Sequence, residues 1–174
     1  VNGTINIQNG SELITNGTFA SNITGWTDNS TPPDSAAWSA SYGGSMLLNG
    51  AIAYAKADQS ITTVIGQKYT VSVEEKANAN GVGYLFVGTT QGASDLASIT
   101  LPVATAGIYT TTFTAVGTAT YVRVYCGWNG LYVDNISVFP ISLIANGTVF
   151  VNNTNSAGAV AGDVVLHYNN AIES

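Results

Sequence analysis

Apolar and polar positions alternate with a period of two along most of this chain. No stretch of 11 or more residues keeps the 3.6-residue period of an amphipathic helix. Short runs rich in Thr, Val, Ile and Tyr are separated by Gly, Asn and Ala-Gly turns. The pattern predicts strands over 12–15, 36–42, 45–49, 51–55, 58–64, 68–76, 82–88, 97–101, 107–116, 119–127 and 130–139. Many short strands at this spacing make an all-β protein, a jelly roll or β-sandwich of two antiparallel sheets.

Three strands can be assigned faces, because successive side chains on a strand point to opposite sides. Tyr69, Val71 and Val73 alternate with Lys68, Thr70, Ser72, Glu74 and Lys76, so the first set faces the core. Val122, Val124 and Cys126 face inward, and Tyr121, Arg123 and Tyr125 face out. Leu85 and Val87 are read as inward, which leaves Tyr84 and Phe86 outside. Cys126 is the single cysteine, so no disulfide forms within the chain. Its place after Val122 and Val124 makes it a small buried apolar residue.

Pro32-Pro33 and the stretch from Gly88 to Ser94 read as loops, and Ala77 to Gly83 as a turn. Pro140 closes the main pattern. The expected organisation is an N-terminal arm over 1–10, a jelly-roll domain over 11–140 and an appendage over 141–174. In the appendage, 141–151 and 159–168 form a further hairpin. Asn2-Gly3-Thr4-Ile5 echoes Asn146-Gly147-Thr148-Val149, each an Asn-Gly turn leading into a strand. A strand-rich tail with little charge has few defences against edge pairing, which points to a homo-oligomer or to neighbouring subunits of a particle.

Composition narrows the function. Of the 174 residues, 45 % are hydrophobic and 8 % are charged, against about 25 % charged in ordinary soluble domains. The polar surface therefore comes from Asn, Thr, Ser and Gly, as on proteins of cell exteriors and virions. The net charge is −6, and Lys56, Lys68, Lys76 and Arg123 are the fixed cations. Four scattered cations do not neutralise a phosphate backbone, which excludes nucleic acid as a partner. No apolar run has the length of a membrane span, so membrane insertion is not expected, and the start at Val1 shows no signal-peptide pattern. Asn-x-Ser/Thr triplets recur, at Asn16, Asn22, Asn29 and Asn135 among others. They read either as glycosylation sites of a secreted protein or, the favoured reading, as the product of a composition rich in Asn, Ser and Thr; Asn135 falls inside a predicted strand, where a glycan would fit badly.

Several motifs, in order, resemble jelly-roll carbohydrate-binding modules of the family 4/9/22 type, the galactose-binding-like sandwich. Leu13-Ile14-Thr15-Asn16-Gly17-Thr18-Phe19 with Gly25-Trp26 is similar to their first strand and turn. Asp58-Gln59-Ser60-Ile61 and Gly66 to Val73 look like the central strands. Tyr109 to Ala115, Tyr121 to Tyr125 and Tyr132 to Val138 resemble the final ones. The likeness covers about 11–139. It implies a non-catalytic module that binds sugar on a sheet face or in rim loops. Such modules occur in glycan-degrading enzymes, surface adhesins and phage virion proteins.

The resemblance also implies a structural calcium near the first and last strands. Asp134 falls on the matching position, with backbone carbonyls around Asn16 to Thr18 as further ligands. Strict alternation turns Asp134 inward with Ile136 and Val138, where a buried carboxylate needs a cation or several N–H donors. Backbone amides could serve instead. The sequence departs from the family pattern at Ala20 and Thr18, which stand where carboxylates are usual.

The candidate binding face is Tyr121, Arg123 and Tyr125, extended by Tyr84 and Phe86, with Trp128 in a turn at the rim. Glu74 and Lys76 are expected to add polar partners from a nearby strand. Aromatic faces stack on sugar C–H groups, and charged or amide groups fix the ring hydroxyls. The same aromatics could instead pack a subunit or the 141–174 segment. Trp26 reads as core. Trp38 alternates with Ala36 and Ala40 and is either core, the favoured reading, or an edge-site aromatic.

Catalysis finds no support in the sequence. A glycosidase needs two carboxylates facing one bond, whereas Glu74 and Glu75 are adjacent and point to opposite faces. His167, the single histidine, reads as a strand residue of the appendage. The expected function is binding of a glycan, a host-surface polysaccharide or a receptor by an extracellular or virion-borne domain. The alternative is a structural part of a phage particle, tail fibre or S-layer, with the aromatic face making subunit contacts.

Overall fold

A computed structural model of the protein describes residues 4–79, 82–128 and 130–146. Its strands are β1 Thr4–Asn9, β2 Thr27–Asp28, β3 Ser35–Ser39, β4 Ser45–Asn49, β5 Tyr54–Thr62, β6 Lys68–Asn78, β7 Gly83–Gly88, β8 Ala97–Leu101, β9 Gly107–Thr114, β10 Ala119–Gly127 and β11 Leu131–Asn146. A single 3-10 turn, Ser41–Gly43, joins β3 to β4. The chain divides into two compact units, 9–142 and 1–8 with 143–174. Residues 141–146 of the expected appendage continue β11; the rest of the hairpin expected there and His167 lie outside the described residues.

The larger unit is an all-β sandwich. One sheet has the order β2-β5-β10-β7-β8, and the other β3-β4-β11-β6-β9; β1, which like the end of β11 falls mostly in the smaller unit, pairs with β11. The pairings along both sheet orders are antiparallel. Val122, Val124, Cys126, Leu85 and Val87 line the inner face of the β10 sheet, each fully buried. Tyr69, Val71, Val73, Val133 and Val138 oppose them from the β11 sheet. Removing each such side chain from water contributes about 1.5–3 kcal/mol, and this sealed layer fixes which residues look outward. Burial pushes the Cys126 thiol up to about 11, so it stays a neutral, inert group.

The structure departs from the sequence reading in four places, each with a physical reason. Residues 12–15 form no strand of their own. The Glu12 carboxylate instead accepts the N–H groups of Leu13, Ile14 and Val138, and Leu13 N donates to Val138 O. The predicted strands 51–55 and 58–64 are one strand, β5, because Ala51 to Ala53 turn around the Asp34 carboxylate, which accepts all three of their N–H groups. Pro140 does not end the pattern. It sits within β11 opposite Tyr69, and its carbonyl accepts the N–H of Gly10, so the chain stays extended through it. Trp38 is not core: it is 39 % exposed on edge strand β3, and its indole N–H donates to Phe19 O at 2.7 Å. Trp26 is buried and packs against Phe19.

Candidate functional site

The outer face of the β10 sheet is assembled by register. β10 sends out Tyr121, Arg123 and Tyr125, and β7 sends out Tyr84 and Phe86. β5 contributes Tyr54, Lys56, Asp58 and Ser60. Pairing sets Arg123 between Asp58 and Phe86, and Tyr125 between Lys56 and Tyr84. Ser98 and Thr100 continue these two rows on β8.

Arg123 is held as a planar fork. Its Nε donates to Asp58 Oδ1 at 2.6 Å and its Nη2 to Oδ2 at 2.8 Å. Asn29 Nδ2 also donates to Oδ2, and Gln91 Nε2 reaches it at 3.4 Å. Asp58 is 3 % exposed and receives four donors, so its charge is fully answered. The loop after β7 closes on the other edge of the guanidinium. At Gly92, with φ +85°, an added Cβ would lie 2.3 Å from Arg123 Nη1, so only glycine lets the loop come this close. The loop is tied by Asp95, which accepts the Thr89 hydroxyl and N–H. These bonds, the hydroxyl's first, hold its carboxyl below the usual range.

A cluster of four rings lies beside this fork, with Phe86 directly across from Arg123. Tyr54 and Tyr125 stack at 4.8 Å and 25°, and Tyr84 and Phe86 at 5.2 Å and 21°. Phe86 and Tyr84 meet Tyr125 at 5.8 and 6.1 Å. Tyr54 remains 45 % exposed. Burial, then the neighbouring Tyr54, pushes the Tyr125 hydroxyl up to about 12, so it remains a protonated donor. The face thus combines rigid aromatic surface with an oriented cation whose charge is already balanced. Such a surface suits a neutral, hydroxyl-rich ring better than an anion.

Tyr84, Phe86, Tyr121, Arg123 and Tyr125 share one face, as the alternation predicts. Tyr121 lies one row on from Arg123, opposite Ser60 and Gly88. Trp128 follows the end of β10, 55 % exposed with φ +59°, next to the position where Gly127 pairs with Tyr54. Glu74 does not join this site. It stands on β6 of the other sheet, where its Oε1 holds Lys76 at 2.7 Å and its Oε2 accepts Asn135 Nδ2. Sequence reasoning missed Tyr54, Lys56, Asp58, Asn29 and Gln91. Reading 54–62 as a single strand would have found the first three, since they alternate outward beside Arg123.

The metal expectation fails a test of fit. A bulge in β11 between Asp134 and Ser137, with Asn135 at φ +48°, breaks the alternation. Asp134 therefore turns to the outer side, with its Oδ2 3.5 Å from Lys76 Nζ and its Oδ1 accepting Asn135 N. The Asn16 amide donates to Asn22 and Thr24, and Gly17 O accepts Ile136 N. Asn16 and Thr18 line a cavity of about 420 Å³ with Glu12 and Glu74, but Asp134 does not. These residues form no calcium cradle, and Lys76 occupies the place a cation would need.

Solved structures share this architecture. The enzymatically active domain of tailspike protein 4 from bacteriophage CBA120 aligns with a TM-score of 0.58 at 17 % identity, over 75 % of this chain and 21 % of that one. The CBM22-1 xylan-binding domain of Paenibacillus barcinonensis Xyn10C aligns at 0.57 and 14 % identity, over 76 % of this chain and 96 % of the domain. The CBM22-1 and GH10 modules of Clostridium thermocellum Xyn10B, complexed with xylohexaose, align at 0.54 and 14 %, over 74 % and 28 %. The chain thus has the jelly-roll fold of carbohydrate-binding modules, and it spans about a fifth of the tailspike chain it matches. No protein-family profile matches the sequence, and no curated protein matches it.

Proposed function

We propose that the domain binds carbohydrate, without catalysing a reaction on it, through the outer face of the β10 sheet. The observation that carries this reading is the Arg123 fork, fixed by Asp58, with the ring cluster of Tyr54, Tyr84, Phe86 and Tyr125 beside it on the same face. A preorganised donor set among stacked rings lowers the ordering cost of binding. The fold it shares with xylan-binding domains supports the same reading. The ligand is a glycan or a glycosylated receptor, met outside the cell or at a virion surface. A shallow, wet site of this kind gives millimolar to micromolar affinity, about −4 to −8 kcal/mol. Glycan-array screening followed by calorimetric titration tests it. Tyr125→Ala and Arg123→Ala should each weaken binding at least about tenfold. A ligand whose affinity neither variant changes would remove this face from consideration.

A second reading is favoured by the tailspike alignment. The domain would be a repeated part of a phage particle, with the same face or the terminal strands meeting neighbouring subunits. Light scattering decides it. A stable trimer or higher assembly of the full chain supports this role, and a monomer at all concentrations argues against it.

A further inference from the structure

We propose a second carbohydrate subsite on the opposite side of the sandwich, on the outer face of the β11 sheet, walled by Tyr42 and Tyr132. It does not depend on the β10 face.

Tyr132 leaves β11 outward between Leu47 of β4 and Ala77 of β6. Tyr42 comes from the 3-10 turn before β4 and meets it edge to face, with centroids 5.2 Å apart and planes at 68°. Tyr42 is 55 % exposed, so the core does not hold it there. Its backbone adopts φ +60° and ψ 25°, a conformation tyrosine seldom takes, with Gly43 and Gly44 following at φ +85° and +115°. The turn thus projects a costly, solvent-facing ring onto a second ring.

The two rings border a cavity of about 320 Å³, at the small end of the range of ligand pockets. Its remaining wall is Asn78, whose amide donates to Leu101 O, and the small residues Ala77, Ala79, Ala104, Ala106 and Gly130, which let a flat ring lie against the sheet. Lys76 supplies the polar group. Its ammonium is fixed by Glu74 Oε1 at 2.7 Å and Asp134 Oδ2 at 3.5 Å, and it lines the same cavity.

Three features select the ligand class. Two aromatic walls at a wide angle offer both a stacking face and an edge to one sugar ring. The anchored ammonium donates to hydroxyls. Two carboxylates beside one cation leave the site with no positive excess, which disfavours phosphate, sulfate and uronate groups. The occupant is a single pyranose or pentose unit of a neutral glycan. A domain with a subsite on each sheet can bridge two glycan chains, and its avidity on a dense surface exceeds either affinity.

The test is an amide-resolved NMR titration of the full chain with xylohexaose and with neutral oligomers of glucose, mannose and galactose. Shifts at Tyr42, Lys76, Ala77 and Tyr132 support the second subsite, whether or not the β10 face responds. Shifts confined to Arg123, Tyr125 and Phe86 overturn it and leave the first face standing. Shifts nowhere overturn both. In the Arg123→Ala, Tyr125→Ala background, residual binding should persist. It should fall about tenfold on Tyr42→Ala and hold on Tyr42→Phe, which keeps the ring. Equal residual binding with and without the Tyr42 ring would also overturn the proposal.

Discussion

Two of the buried carboxylates, one on the outer face of the β10 sheet and one inside the sandwich, are treated in opposite ways. On the β10 face, Asp58 is 3 % exposed and receives four donors, including both arms of Arg123. Inside the sandwich, Glu75 is 1 % exposed, and neither of its oxygens has a hydrogen-bond partner among the described residues. The neighbouring ionisable groups are Tyr109 of β9 and Cys126 of β10, and neither can offset a negative charge. Burial alone pushes Glu75 from its ordinary 4.5 up to about 7. Burial therefore does not decide what a carboxylate does here; its partners do. Asp58 positions a binding group, while Glu75 is a standing cost in the core.

The largest effect belongs to Asp58. Asp58→Ala leaves Arg123 charged and unpaired beneath the Thr89–Asp95 loop, and should cost about 3 kcal/mol. Urea unfolding measures this. The double variant Asp58→Leu, Arg123→Met should recover most of the stability, because no charge is then stranded, yet it should still bind no glycan. A double variant as unstable as Asp58→Ala would show that the pair stabilises the fold rather than only orienting the cation. The contrast with Glu75 would then narrow.

Next is Glu75, whose sign is opposite to that of a paired carboxylate. Its folded value lies above its unfolded one, so the native state holds the proton longer. Stability from this group is complete below about pH 4.5 and is lost as pH rises through about 7. The loss is roughly 2–3 kcal/mol. Glu75→Met, of similar volume, should raise the unfolding free energy above neutrality by that amount and much less under acid conditions. Asp34, Glu74 and Asp95 shift downward and contribute the reverse slope, so the difference between wild type and Glu75→Met isolates Glu75. A difference constant with pH would mean that a bound water or an unseen partner already answers the charge.

How legible these features were in the sequence follows from their range. Alternation within one strand gave Val122, Val124 and Cys126 inward and Arg123 and Tyr125 outward, because a period of two is a local property. The opposition of Asp58 to Arg123 was not legible, since it rests on β5 pairing in register with β10 at a sequence separation of 65. The same limit hid Tyr54, which stacks on Tyr125 only after β5 is recognised as one strand. Asp134 was misplaced because a bulge resets the alternation by one residue, and nothing in Asp134-Asn135-Ile136 announces it. Glu75 was read correctly as opposite in facing to Glu74. Its isolation was invisible, because the absence of a partner depends on every strand packed above it.

The smallest effect sharpens the comparison from the middle. Glu74 neighbours Glu75 in sequence but faces outward, 25 % exposed, and is bound to Lys76 and Asn135. The Lys76 bond, then the Asn135 bond, hold its carboxyl below the ordinary value. Its contribution is therefore present above that value and fades as acid protonates it in the folded state. A partly exposed pair of this kind is worth about 0.5 kcal/mol. Glu74→Gln should lose that much at neutral pH and nothing in acid, and salt should reduce the loss further. Lys76 keeps Asp134 at 3.5 Å as a second partner, which limits the damage. A loss as large as that of Asp58→Ala would mean that the Lys76 cluster is as closely built as the Arg123 fork. Adjacent carboxylates on one strand would then differ from Asp58 in location alone, and partner geometry would not explain the ranking.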